Sequence, residues 1–154
     1  SLKQLNKLIL LDKKNIYLIE TKADILFSFG YINEALKFYT QVINKKPNNY
    51  YAQIRVFENT DIEKLSKYQK KKLFIKNLNL LNNFYNNRNI LLTYLNLADK
   101  IEKDEWVFFL NYWLNKKDDK EIIKKNLFKF RETNDKDLYN LIEIIRGNLK
   151  WMAL

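Results

Sequence analysis

The sequence predicts an all-α protein built from antiparallel helical hairpins, and three observations carry that reading. Glycine occurs twice and proline once in 154 residues, too little turn material for the many sharp loops of a sandwich or barrel. Apolar residues recur three and four apart along most of the chain, which is the spacing of one helix face. Hydrophobic residues make up 47% and aromatics 15%, enough to bury a core, which excludes a disordered chain. The length predicts one domain over residues 1–154.

Leu2 to Leu11 predicts a helix with Leu2, Leu5, Leu8 and Ile9 toward a neighbour. Its other face has no helix to cover it, so an upstream domain or a dimer contact is expected there. Ile16 to Asn49 predicts a hairpin: Ile19, Ala23 and Leu26 stripe the first arm, and Ile32, Ala35, Tyr39 and Val42 the second. Gly30 between them can take a positive φ, Tyr31 or Asn33 can begin the second arm, and Pro47 cannot continue it. Tyr51, Ala52 and Arg55 to Phe57 carry the pattern into a next unit. Thr60 and Glu63 have capping-box spacing, which predicts a helix from Asp61 to about Phe84, interrupted by Lys70 to Lys72. Five asparagines between Asn82 and Asn89 predict a turn.

Helices are then expected over Asn89 to Ile101 and from Asp104 to Leu114. Asp104-Glu105-Trp106 and Asn115-Lys116-Lys117-Asp118 echo Asn33-Glu34-Ala35 and Asn44-Lys45-Lys46-Pro47 at a constant offset of 71 residues. Trp106 in place of Ala35 marks this copy as degenerate. A last pair is expected at Asp119 to Glu132 and Asn134 to Arg146, with Ile122, Ile123, Leu127 and Phe130 facing Leu138, Leu141, Ile142 and Ile145. Gly147 is expected to end it, and Trp151 and Met152 to cap the end or continue into a neighbour.

Ile16 to Asn49 resembles a tetratricopeptide repeat, whose 34-residue pattern is Trp-x2-Leu-Gly-x2-Tyr, glycine, Ala-x3-Phe and Pro. Here the pattern runs Ile19, Lys22-Ala23, Leu26, Gly30, Ala35-x3-Tyr39 and Pro47, with Ile19 and Lys22 departing from Trp and Leu. Leu5 to Asn15 resembles the Val42 to Asn49 ending, with Lys13 lying 34 residues before Pro47. The resemblance covers residues 5–58, so 1–59 are expected to be tetratricopeptide-like. Residues 60–154 are expected to be degenerate hairpins, with a sub-boundary near 82–89. The resemblance implies an α-solenoid, a tetratricopeptide-like superhelix, acting as a non-enzymatic adaptor that binds a partner protein in a concave groove lined by first helices. On those helices the groove positions are Tyr17, Glu20, Asp24, Phe27 and Ser28, then Tyr51, Ile54 and Glu58. Grooves of this family that capture a carboxyl terminus use lysine, arginine and asparagine, and none of these stands at the expected groove positions. A basic or amphipathic peptide or helix is therefore the expected partner.

The net charge of +10 raises a second reading, binding of RNA or an anionic surface. Lys64, Lys67, Lys70, Lys71, Lys72 and Lys76 are its candidate face, with Lys124, Lys125 and Lys129 as a lesser one. Against it, the 28 basic residues include only four arginines, and abundant lysine, asparagine, isoleucine and tyrosine is the signature of AT-rich codons. The chain has no histidine or cysteine, so disulfides, thiolate metal sites and the commonest general base are excluded. Carboxylates cluster at Glu102, Asp104 and Glu105 and at Asp118 and Asp119, each at an expected helix start where they favour the helix dipole. No phosphate loop or metal-ligand spacing is present, so no enzyme, cofactor or metal site is expected. No run of 18 apolar residues predicts a membrane span, and no signal peptide is recognised; the compartment stays unassigned.

Overall fold

A computed structural model describes residues 2–116 and 120–152. Readings that rest on Lys117, Asp118 and Asp119, and on the side chains of Ile122, Ile123, Lys124, Trp151 and Met152, lie outside the described residues. Among those described the chain is all-α, with ten helices, one 3-10 turn and no strand, and no helix is long and apolar enough to cross a membrane. It divides into two compact units, Ser1–Thr60 and Asp61–Leu154.

The first unit holds α1 (Leu2–Leu11), α2 (Ile16–Ser28), α3 (Ile32–Lys45) and α4 (Tyr50–Asn59). Asparagine side chains start two of them: Asn15 accepts from the Tyr17 N–H at 3.1 Å and Asn49 from the Ala52 N–H at 3.1 Å. Between α2 and α3, Gly30 takes φ +86° while the Tyr31 N–H reaches back to Leu26 O at 2.9 Å, the six-to-one bond of a Schellman ending. Ile19, Ala23 and Leu26 pack on Ala35, Tyr39, Val42 and Ala52. Ala23, Ala35 and Ala52 have no exposed surface, and their small side chains let the helices approach closely. On α1 only Leu5 is buried; Leu2 and Ile9 are half-buried. Leu8, expected to face a neighbour, is 50% exposed, and Leu10 and Leu11 are more so.

The second unit departs from expectation at its start. Thr60 does not cap a long helix, because its hydroxyl donates to Val56 O on the preceding turn. Ile62–Lys64 form a 3-10 turn instead. The capping box lies six residues on, where Ser66 Oγ accepts from the Gln69 N–H at 3.2 Å and Gln69 Oε1 from the Ser66 N–H at 2.9 Å. There α5 (Lys67–Lys76) begins. It ends at the buried Asn77, whose side-chain amide donates to Leu73 O at 2.8 Å. That bond competes with the helix ladder, so α6 (Leu78–Asn83) is a separate piece. Then come α7 (Arg88–Lys100), α8 (Asp104–Lys116), α9 (Lys120–Phe130) and α10 (Lys136–Met152). Gly147, expected as a stop, lies inside α10 with open space around it.

The α7/α8 hairpin repeats the α2/α3 hairpin position by position. Ile90, Tyr94, Leu97, Trp106, Leu110 and Trp113 are all buried, each 71 residues after Ile19, Ala23, Leu26, Ala35, Tyr39 and Val42. Its turn carries the same bonds one residue later: Lys103 N–H to Ala98 O at 2.9 Å, with Glu102 at φ +59° in the place of Gly30. Trp106, the residue that marks this copy as degenerate, is fully buried. Its ring stands edge-on to Phe74 at 4.7 Å, and its indole N–H donates to Asp135 Oδ2 at 2.7 Å.

Candidate partner-binding face

The face expected to bind is assembled from α2 and α4. Asp24 and Ser28 lie on the side of α2 turned away from the Ile19–Ala23–Leu26 stripe, and Phe27 is half-buried at the edge of that stripe, packed against the core. Tyr51 and Arg55 stand four apart on α4, so both point the same way. Asp24 Oδ1 accepts from two phenols, Tyr51 at 3.1 Å and the buried Tyr39 at short range. Arg55 donates through Nε and Nη2 to the Tyr51 oxygen at 3.4 and 3.3 Å, so this hydroxyl links carboxylate to guanidinium. The guanidinium also lies over the rings of Phe27, at 4.3 Å, and Tyr51, at 5.2 Å. Tyr39 stands edge-on to both rings, at 6.4 and 6.1 Å. A second tie lies beside it, where Asn49 Nδ2 donates to Glu20 Oε2 at 3.1 Å.

Burial, then the adjacent Asp24 carboxylate, push the Tyr39 phenol well above its ordinary value, so it stays a neutral donor. Burial also raises Glu58, an effect that Arg55 only partly opposes. Of the eight expected positions, Asp24, Phe27 and Tyr51 are joined in this network, and Glu20 is tied separately to Asn49. Ile54 and Glu58 are half-buried on α4. Tyr17 is apart, 72% exposed with the Lys46 ammonium over its ring, and Ser28 turns its hydroxyl to Ile25 O. The expectation that arginine and asparagine are missing is corrected, since Arg55 and Asn49 both sit here. The signal was the four-residue step from Tyr51, outweighed by reading Arg55 with the buried run to Phe57.

No family model, curated protein or solved structure matches this chain.

The lysine face is smaller than expected. Lys64 is on the 3-10 turn, not on the helix with the others, and pairs with Asp61 at 3.7 Å. Lys67 pairs with Glu102 at 3.1 Å, and Lys70 is half-buried. Lys71, Lys72 and Lys76 are exposed and form no ion pair among the described residues. Lys71 and Lys72 alternate with exposed Tyr68 and Ile75 along one side of α5. Among the described residues no group of three carboxylates could hold a metal ion. Asp104 and Glu105 occupy the first turn of α8, as the capping reading expects.

Proposed function

We propose that this chain is an α-solenoid of tetratricopeptide-like hairpins and acts as a non-enzymatic adaptor, holding a basic or amphipathic segment of a partner protein on the α2/α4 face. The observation that carries the reading is the continuity of that face. Two helices whose matching positions lie 34 residues apart present one aromatic surface, with Phe27 and Tyr51 bridged by Arg55 and backed by Asp24. Recurrence of six buried positions at 71 residues supports a repeating unit, because hairpins that cannot cover their own apolar faces must be followed by copies. Glu20, Asp24 and Glu58 against Arg55 leave the face net negative within a basic chain, which favours a cationic partner.

The test is selection from a displayed peptide library, followed by fluorescence-polarisation titration of the enriched peptides. Phe27→Ala and Tyr51→Ala are each expected to weaken binding about tenfold, as truncation of aromatic hot spots does. Enriched peptides that are acidic, or that bind both variants as tightly as the parent, defeat the proposal.

A second reading rests on α5. Lys71 and Lys72, which form no ion pair among the described residues, interleave with Tyr68 and Ile75 in an exposed cationic and apolar stripe suited to RNA or an anionic surface. It predicts affinity that falls steeply with salt and is lost in Lys71→Glu/Lys72→Glu; no binding at low salt removes it.

A further inference from the structure

A cavity of about 460 Å³ opens in the second unit, within the size range that holds small molecules. Its apolar lining is Phe108 of α8, Phe130 at the end of α9 and Leu138 of α10. The Phe108 and Phe130 rings lie 5.3 Å apart, and Phe109 and Tyr112 back Phe130 at 5.5 and 6.0 Å. Phe108 nonetheless keeps 65% of its surface exposed, an unusual state for a phenylalanine inside a ring cluster. Asp104, Glu105 and Glu132 stand around this lining, against a single Lys129. Thr133 donates to Glu105, which fixes that carboxylate at the mouth without neutralising it. The last turn of α9 borders the cavity with partial negative charge, and the first turns of α8 and α10 border it with partial positive charge, against which Asp104 and Glu105 stand. Ring faces and a net negative rim therefore coincide in a chain of net charge +10.

We propose that this cavity binds a small organic cation, an ammonium or guanidinium carried on an aromatic or alkyl body. The body lies against Phe108, Phe130 and Leu138, and the cation is held between the ring faces and the carboxylates of Glu105 and Glu132.

Three probes of matched shape test this on the full chain: 2-phenylethylammonium, 2-phenylethanol and phenylacetate, each titrated while amide and methyl resonances are followed by NMR. The cation is expected to shift Phe108, Thr133 and Leu138 saturably, the alcohol more weakly, and the anion not at all. Phe108→Ala, at an exposed position the fold tolerates, and Glu105→Gln/Glu132→Gln should each weaken the cation about tenfold. Equal binding of the anion, shifts centred elsewhere, or unchanged affinity in both variants overturns the proposal. Tighter binding of N-acetyl-phenylalanyl-lysine amide than of the free amine also overturns it, because the occupant is then a side chain of a protein partner.

Discussion

The two matching turns permit an opposite pair of substitutions with opposite expected signs. Gly30 and Glu102 each follow the first helix of a hairpin, each with positive φ, +86° and +59°. An L-residue held there costs about 1–2 kcal/mol, because Cβ crowds the following carbonyl, whereas glycine does not. A Cβ built on Gly30 meets nothing within 4 Å, so Gly30→Ala adds backbone strain without a clash. The expected loss is about 1 kcal/mol. Glu102→Gly relieves the same strain but gives the unfolded chain more freedom, worth about 0.4–1 kcal/mol, and removes an exposed ion pair to Lys67 of little weight. A net gain of about 0.5 kcal/mol is expected.

Urea unfolding measures both, because the probes separate the units. All three tryptophans, Trp106, Trp113 and Trp151, belong to the second unit, so their fluorescence follows Glu102→Gly, while far-ultraviolet circular dichroism includes the first. A loss of 1 kcal/mol moves a midpoint by about 0.5–1 M. An unchanged first unit in Gly30→Ala, or a second unit weakened by Glu102→Gly as by glycine inside a helix, refutes the shared geometry.

Asp135 accepts from Lys103 at 2.9 Å, from Trp106 and from the Leu138 N–H at 3.2 Å. Burial alone would raise its pKa, but these three together hold it below the ordinary 3.8. Its stabilisation is thus complete above that value and lost as pH falls through the lower, folded one. Asp135→Ala should cost about 2–3 kcal/mol by tryptophan fluorescence at pH 7 and lack that acid limb. Tyr39→Phe removes one of the two phenols on Asp24 and should cost the first unit about 1 kcal/mol by circular dichroism. Because the Tyr39 pKa is raised, the stability it contributes is present below pH 10 and lost as pH rises beyond it, a loss the phenylalanine variant does not show. Glu58 is raised by burial, so its ionisation erodes stability as pH climbs above 4.5; Glu58→Gln should gain under about 1 kcal/mol at pH 7 and nothing at pH 3.

The all-α class was legible because it depends on repeated apolar spacing, which survives loss of any single position. The α2/α3 hairpin was legible in detail, since Gly30, Pro47 and the two stripes all agree. Residues 61–84 were not, and the reason is local. Thr60 has two acceptable hydrogen-bond partners, the helix ahead and the carbonyl behind, and spacing alone cannot choose between them. Asn77 ends α5 only because it is buried, where its amide must find Leu73 O. The 71-residue echo was visible as Asp104-Glu105-Trp106, yet how Trp106 fits depends on Phe74 and Asp135, each about thirty residues away in the chain.

The proposed face was legible as a set of positions but not as a charge distribution. Its acids read as free because their partners lie on other helices: Tyr39 is a core position of α3, and Asn49 is the cap of α4. With Asp24 engaged by two phenols and Glu20 by an amide, neither offers all its lone pairs to a ligand. Arg55 covers the ring of Phe27, one of the expected groove positions. A partner must therefore displace or extend the Arg55 stack to reach Phe27, while Glu58 forms no ion pair among the described residues and is held by burial above its ordinary pKa. A cation placed beside Glu58 lowers the cost of ionising it, so under the proposed function a basic segment gains most on the α4 side of the face rather than at the α2 acids that the sequence pattern makes conspicuous.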